Sequence, residues 1–301
     1  HRGRQLKTQP GNSRQLVCGF HGWTWNLDGS LARIPCRWDF PQISDEDNRL
    51  PEVRCETWSQ FVFVNFDDDA PSIASQLSET AKWGGDRYRM DRMVTSHRWE
   101  YHVECNWKAY VDNFTESYHV PWVHPETFEL LTPLKRWVEF PEITDQPWAL
   151  QVGQTPGLTF SDSGDALFTV SPELERLPVE FDGMPVWLVF PTLMVIPTVD
   201  CVLYYVAFPE GPEQTRIRIG MAFPPDAAAA HLAGDDPQAT AAVEEYVGNA
   251  KLFLEEDNVI CEQQWAGLRS HRGAAGRYCE HEGLVRRFDK WVADRAYGPA
   301  S

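Results

Sequence analysis

The sequence predicts an α+β fold, with a small all-β region at the N-terminus and a larger region of antiparallel strands and one long helix. Residues 56–66 alternate aromatic and β-branched side chains, which is the pattern of a strand. Residues 237–270 repeat apolar side chains at the period of a helix. Further β-rich segments, separated by Pro, Gly and Asp, predict the sheet: residues 149–152, 166–170, 185–190, 193–196, 201–208 and 216–223.

Charge and proline interrupt the strand pattern directly after residue 66. The run from Asp67 to Ser72 contains three aspartates and a proline, so we expect a domain boundary there. The expected domains are residues 1–70, a linker of residues 71–84, and residues 85–301. The alanine-rich residues 227–233 are flanked by Pro, Asp and Gly and are expected to form a surface excursion.

Composition bounds the function. A net charge of −17 argues against nucleic-acid binding, because polyanions would be repelled and no basic stripe offsets the average. The acidity suits either the docking of a basic electron donor or simply a solvated surface. No run approaches the roughly 20 apolar residues of a membrane span. Seven irregularly spaced cysteines favour a reducing, cytoplasmic location over a disulfide framework.

A carboxylate and two histidines lie close together in the sequence. Glu116, His119 and His124 are residue types that a mononuclear iron site with open coordination positions uses. Apolar spacing predicts a helix over residues 106–120, on which Glu116 and His119 share one stripe; the alternative for that stripe is a solvated face. We expect Pro121 to end this helix, so that His124 returns toward His119 from the following turn.

The third ligand of such a site has to come from elsewhere in the chain. Asp257 lies inside the apolar stripe of the helix predicted over residues 237–270. An unpaired buried carboxylate costs roughly several kcal/mol unless a metal ion or a hydrogen-bond network compensates it. Asp257 is therefore the candidate carboxylate ligand, and the alternative is a buried aspartate bonded to backbone or to Trp and Arg side chains.

A second constellation opens the chain. His1, Cys18 and His21 have the spacing of ligands to a [2Fe–2S] cluster in which one iron takes two thiolates and the other takes two imidazoles. Gly22 permits a tight turn, and Trp23 is available to shield a cluster from water. The plainer interpretation is a buried thiol and a packed histidine. The independent second site argues against that coincidence.

The two sites together resemble the catalytic (alpha) subunit of the Rieske non-heme iron oxygenases, the ring-hydroxylating and demethylating family. His1, Cys18 and His21 match the last three of the family's four cluster ligands, so the first cysteine would lie two positions before His1 and we expect an N-terminally truncated chain. The resemblance implies a partial all-β Rieske [2Fe-2S] domain, with Trp23 beside the cluster. It also implies a helix-grip (START/Bet v 1-like) catalytic domain, with a curved antiparallel sheet and a long C-terminal helix.

The resemblance assigns roles to further residues. Asp257 matches the carboxylate that holds the mononuclear Fe(II) beside the two histidines, and Asn113 matches an asparagine near the iron. Glu116 matches a carboxylate that bridges two histidines across a subunit interface. Electrons would then pass from the cluster through His21, Glu116 of the neighbouring subunit and His119 in a homotrimer.

The resemblance also implies partners and a reaction. The chain has no dinucleotide-binding glycine pattern, so electrons from NAD(P)H would arrive through a separate reductase, with or without a ferredoxin. A beta subunit is possible in this family. The expected reaction uses O2 to hydroxylate or oxidatively demethylate a small molecule, either an aromatic compound or a quaternary amine.

The substrate and the competing functions stay open at the level of sequence. Aromatic residues that could line a substrate pocket, or simply form core, are Trp137, Trp148, Trp187, Phe190, Tyr204 and Tyr205. A Rieske ferredoxin is excluded by the length of the chain and by the second site. The remaining alternative is a helix-grip ligand-binding protein with decayed iron sites.

Overall fold

The computed structural model describes residues 1–83, 85–140, 146–168, 183–273 and 276–298. The chain packs into two compact units. One comprises His1–Glu56 and Val62–Ala70, and the other comprises Thr57–Phe61 and Pro71–Ser301.

The first unit contains a small antiparallel sheet. Strands β1 (Gln15–Val17), β2 (Thr24–Asn26) and β3 (Leu31–Arg33) pair in that order. A small core of Cys18, Trp23, Trp25 and Ile34 packs there. The loop between β1 and β2 therefore carries two of the proposed cluster ligands next to the core.

The single strand predicted over residues 56–66 is wrong. The chain instead forms two strands, β4 (Arg54–Trp58) and β5 (Phe61–Asn65), which pair in a two-stranded sheet. Ser59, between them, has a φ of 53°, in the left-handed region that tight hairpin turns use. Alternation of side chains continues through such a turn, which is why the pattern alone did not reveal it.

The second unit is built on a seven-stranded antiparallel sheet with the order β6-β12-β11-β10-β9-β8-β7. The strands are β6 (Val94–Val103), β7 (Trp137–Glu139), β8 (Trp148–Gly153), β9 (Met184–Val189), β10 (Leu193–Pro197), β11 (Val202–Pro209) and β12 (Thr215–Phe223). Five of the six predicted strand segments lie in β8 to β12 and are confirmed. For the sixth, residues 166–168 are not in a strand, and residues 169 and 170 lie outside the described residues.

The second unit also contains helices. They are α1 (Ile73–Gln76), α2 (Trp107–Phe114), α3 (Val120–Val123), α4 (Phe128–Leu131), α5 (Pro225–Ala233), α6 (Pro237–Leu268) and α7 (Gly283–Tyr297). The long helix predicted from residue 237 is confirmed as α6, which contacts α2, α5 and β6. None of the described helices combines the length and apolar character that a membrane span requires.

One local prediction needs correction, and the bounds of the expected linker stay a prediction. Residues 227–233 are not a surface excursion but most of α5, whose Ala228 is fully buried. The segment expected as a linker is partly helical, since α1 is followed by a 3-10 helix at Ser78–Trp83. Alanine is the best helix former, so its enrichment between proline and glycine marks a short capped helix.

Candidate metal centre

The chain breaks its helix just before the first histidine. The helix predicted over residues 106–120 is wrong, because α2 ends at Phe114. The N–H of Thr115 donates to the carbonyls of Val111 and Asp112, at 3.1 and 3.0 Å, and closes the last turn. Glu116 then folds back, and its Oε2 accepts the backbone N–H of His119 at 3.0 Å. This side-chain bond replaces the helical bond that His119 would otherwise make.

Pro121 begins a helix and does not end one. It lies in the first turn of α3, where its missing N–H costs no hydrogen bond. His119 is the residue before that helix, and the N–H of His124 donates to Val120 at 2.9 Å at the other end. The two histidines therefore flank a single turn, and their ring centroids are 5.2 Å apart at an interplanar angle of 71°.

Asp257 meets both histidines from α6. Its Oδ1 lies 3.0 Å from Nε2 of His124 and 3.6 Å from Nε2 of His119. One ligand atom from each of the three residues lies within 4.8 Å of the others, which is the arrangement of a group able to hold one metal ion. Two imidazoles and one carboxylate are the donor set of mononuclear iron sites with open positions, so these residues fit such an ion.

Carboxylates occupy the far nitrogen of each imidazole. Oε1 of Glu116 lies 2.5 Å from Nδ1 of His119, and Oε2 of Glu256 lies 2.7 Å from Nδ1 of His124. An acceptor at Nδ1 places the ring proton there and leaves Nε2 free to bind a metal. Both histidines are thus held in the tautomer and orientation that a shared ion requires.

Hydrogen bonds also fix the two carboxylates nearest to His124. Nδ2 of Asn113 donates to Oδ1 of Asp257 at 2.7 Å, and Oγ1 of Thr127 donates to Oε2 of Glu256 at 2.7 Å. The partners of Asp257 are therefore Asn113 and the two histidines, rather than the backbone or the Trp and Arg side chains of the alternative. Glu256 was missed at the sequence level, and its position beside Asp257 was the one available signal.

The electrostatics of the site favour a cation. Asp257 is only 9% exposed, and burial acts to raise its pKa, but the hydrogen bond and charge of His124, with the charge of His119, lower that pKa overall. Burial acts to lower the pKa of His124, and Asp257 and Glu256 raise it overall. Asp257 thus lies where the two Nε2 atoms meet, while Glu116 and Glu256 add negative charge at the Nδ1 side of each imidazole.

The ligand atoms line a cavity with aromatic walls. The other residues of its lining are Asn113, Phe114, Glu116, Val120, Phe128, Trp137, Gln151, Val186, Ile196, Tyr205 and Phe253. Of the six aromatic residues considered for a substrate pocket, only Trp137 and Tyr205 belong to this lining. Trp148 and Trp187 pack against each other, with centroids 5.2 Å apart.

The remaining two aromatic candidates also have other partners. Phe190 packs against Phe288, with centroids 5.4 Å apart, and the Tyr204 hydroxyl lies 3.0 Å from Oγ1 of Thr95. Phe114, Phe128 and Phe253, by contrast, were not considered from the sequence, because each looked like ordinary core. A sequence pattern does not distinguish an aromatic residue that packs in the core from one that lines a cavity.

In the first unit, the proposed cluster ligands lie around one loop. The rings of His1 and His21 are 4.9 Å apart, and His1 stacks on Trp23 at 4.4 Å. Cys18 is 3% exposed, and the backbone N–H of Phe20 lowers the pKa of its thiol, which favours the thiolate that an iron binds. The three residues fit the imidazole side and one thiolate of a Rieske cluster.

The chain matches two known protein-family models. Residues 90–298 match the ring hydroxylating alpha subunit (catalytic domain) family, which is more than half of the chain. The chain belongs to this family. Residues 1–44 match the Rieske [2Fe-2S] domain. Membership implies a Rieske cluster and a mononuclear iron as the cofactors.

Individual relatives extend the comparison. The carnitine monooxygenase oxygenase subunit of Acinetobacter pittii is 30% identical over 190 residues, which cover 62% of this chain and 48% of that protein. A solved quaternary ammonium Rieske monooxygenase has a TM-score of 0.77 at 23% identity, over 98% of this chain and 76% of that one. A naphthalene 1,2-dioxygenase variant has a TM-score of 0.75 at 19% identity, over 100% and 78%.

These comparisons confirm the predicted fold class of a Rieske domain followed by an α+β catalytic domain with a curved antiparallel sheet. The chain spans about half the length of the curated relatives it matches. At these identities the solved structures establish a shared fold.

Proposed function

We propose that this protein is the terminal oxygenase component of a Rieske non-heme iron mono- or dioxygenase system. It uses O2 and electrons from an NAD(P)H-dependent reductase, with or without a ferredoxin, to hydroxylate or oxidatively demethylate a small aromatic compound or quaternary amine. The observation that carries the proposal is the convergence of His119, His124 and Asp257 on one aromatic cavity.

An Fe(II) ion held by His119, His124 and Asp257 would supply open coordination positions and redox chemistry for dioxygen. The chain's own residues prepare that position. Glu116 accepts the Nδ1 proton of His119, and Glu256 accepts that of His124. Both Nε2 atoms therefore face one point. The side-chain amide of Asn113 donates to Oδ1 of Asp257 and fixes this oxygen, and aromatic side chains form part of the cavity wall.

The first unit would supply the electrons. His1, Cys18 and His21 would hold the [2Fe–2S] cluster together with a further cysteine, with Trp23 against the ring of His1. We propose that His21 of one subunit connects through Glu116 of its neighbour to His119 in a homotrimer, as the family resemblance implies. A beta subunit remains an option of this assembly. Seven free thiols suit a cytoplasmic location.

The competing proposal of a ligand-binding protein with decayed iron sites has no observation in its favour. A decayed site would have lost ligands or their partners. Here all three candidate ligands converge, and both imidazoles keep an acceptor at Nδ1.

Two measurements test the proposed function. The complete protein, supplied with NADH and a family reductase, is expected to consume O2 only when a substrate is present. The His119→Ala variant is expected to lose this activity while its cluster spectrum stays intact, because the cluster ligands lie elsewhere. Wild-type protein that holds no iron at His119, His124 and Asp257, or equal O2 consumption by the variant, would refute the proposal.

A further inference from the structure

One polar group in the aromatic cavity has an unmet hydrogen-bonding capacity. Gln151 is a residue of β8, is 3% exposed, and lines the cavity. Its Nε2 donates to the carbonyl of Phe114 at 3.2 Å, at the C-terminal end of α2. Its Oε1 is buried and has no hydrogen-bond partner among the residues that the structure describes.

The bond to Phe114 fixes which way this amide points. A backbone carbonyl can only accept, so the nitrogen of Gln151 must face Phe114. The oxygen is then committed to the opposite side of the amide. A buried carbonyl oxygen without a partner is unfavourable, and a bound molecule with an O–H or N–H group would remove that penalty.

The rest of the lining indicates the charge of such a molecule. Five aromatic rings contribute to the walls: Phe114, Phe128, Trp137, Tyr205 and Phe253. The described lining includes the carboxylates of Glu116 and Asp257 but neither lysine nor arginine. Aromatic faces attract cations, whereas the described lining offers a substrate carboxylate no lysine or arginine to pair with.

A bound divalent ion does not reverse this preference. Glu116, Glu256 and Asp257 together carry one more negative formal charge than such an ion would bring. The cavity therefore favours a cationic or neutral guest over an anionic one.

We propose that Gln151 is a specificity-determining residue whose Oε1 accepts a hydrogen bond from the substrate, and that the cavity takes a small quaternary ammonium alcohol without a carboxylate. This inference rests on the proposed function, because it treats the cavity at His119, His124 and Asp257 as the substrate site. It narrows the substrate class from aromatic compounds and quaternary amines in general to cationic alcohols.

Binding measurements with matched probes test the inference. Choline and propyltrimethylammonium have nearly the same size and charge, but only choline has a hydroxyl group. Isothermal titration calorimetry on zinc-loaded protein reads binding without turnover. Wild type is expected to prefer choline by about tenfold, the value of one hydrogen bond to a buried acceptor. L-Carnitine, which adds a carboxylate to the same ammonium alcohol, is expected to bind more weakly than choline.

Two apolar variants locate the effect. Gln151→Leu and Gln151→Met are expected to bind the two ammonium probes equally, because neither side chain offers an acceptor. Two variants are used because each removes the bond from Gln151 to the end of α2, and circular dichroism checks that each variant folds. Gln263→Leu changes an exposed glutamine of α6 and is expected to keep the wild-type ratio.

Several outcomes would overturn the inference. Equal binding of the two ammonium probes by wild type, or a preference for choline that survives in both folded Gln151 variants, removes the role of Gln151. If carnitine binds as tightly as choline, or if indole binds and choline does not, the proposed substrate class of quaternary ammonium alcohols without a carboxylate is wrong. If choline binds with a Gln151-dependent preference and the iron-loaded protein consumes no O2, the proposed function fails while the cavity assignment stands.

Discussion

Oε2 of Glu256 lies 2.7 Å from Nδ1 of His124, on the side of the imidazole opposite Asp257. The two acidic residues are adjacent on α6, so one turn of helix supplies both the candidate metal ligand and the group that orients another ligand. His124 is consequently held from both of its nitrogens by the same helix. Its orientation depends on α6 more than on its own short helix α3.

Neutralising Glu256 should weaken metal binding. Glu256→Gln removes the charged acceptor at Nδ1 of His124, and partners of this kind are typically worth about 10- to 100-fold in metal affinity. Competition with a chromogenic chelator measures the affinity for Co(II). Glu255→Gln is the matched control, because Glu255 is adjacent, exposed and bonded to Tyr101 at 3.2 Å. An unchanged affinity in Glu256→Gln would show that this bond does not position His124 for the ion.

Removing Asp257 should abolish the site. Asp257→Ala deletes the one carboxylate that reaches both Nε2 atoms, so the variant is expected to bind less than one tenth of the metal that wild type binds under the same conditions. Metal content after dialysis gives the result. Asp235→Asn, on an exposed loop, serves as the control. Full metal content in Asp257→Ala would leave the two histidines as the only ligands needed.

Burial of Glu139 should make stability depend on pH. Burial raises the pKa of this carboxyl to about 7, the backbone N–H groups of Leu284 and Gly283 oppose that rise, and the charge of Glu116 adds to it. The folded protein therefore binds the proton more tightly than the unfolded chain does. The contribution of Glu139 to the free energy of unfolding is therefore fully present below about pH 4.5 and is lost as the pH rises to about 7.

Glu139→Gln tests this dependence. The variant should lose the part of the decline between pH 5 and 7 that Glu139 causes, which is roughly 1–2 kcal/mol after allowance for the group's partial exposure. Urea unfolding of metal-free protein at several pH values measures it. Glu126→Gln, at an exposed position, should follow wild type. Parallel curves for wild type and Glu139→Gln would contradict the assignment.

A buried aspartate ties α6 to the loop that follows β8. Oδ2 of Asp200 accepts the Tyr246 hydroxyl at 2.7 Å and the N–H groups of Leu167 and Phe168 at 3.0 and 3.1 Å. Tyr246→Phe leaves this buried carboxylate with one partner fewer. The expected loss in the free energy of unfolding is about 1–3 kcal/mol. Tyr297→Phe, at a position 91% exposed, should change it little. Equal losses in the two variants would contradict the prediction.

Sequence patterns located the three candidate metal ligands but not the geometry that unites them. His119 and His124 were identifiable because, with Glu116, they match the residue types of a known donor set, and Asp257 was identifiable because a carboxylate is rare within an apolar stripe. The helix break at Thr115 was not, because helical spacing continues across it and the Glu116 side chain replaces the missing backbone bond. An analysis of apolar periodicity does not detect a side chain that bonds to the backbone at a helix end.

Long-range partners were equally out of reach. Glu256 touches His124 across 132 positions of the chain, and Gln151 was one polar residue within a buried strand. A buried strand and a cavity wall have the same apolar composition, so only the packed structure distinguishes them. A buried polar atom without a hydrogen-bond partner can be identified only when all of its neighbours in space are known.

The double attachment of Glu116 to His119 limits how the proposed electron path through these two residues can be tested. One carboxylate oxygen accepts the backbone N–H and the other contacts the ring, so a replacement alters the backbone turn, the ring orientation or both. Glutamine would present a donor where an acceptor is needed, and aspartate would fall short of one of the two groups. A Glu116 variant that transfers no electrons would therefore be explained equally well by a displaced His119 and by an interrupted electron path. Rates of cluster oxidation in such variants become interpretable only beside a spectrum of the bound metal that reports the position of His119.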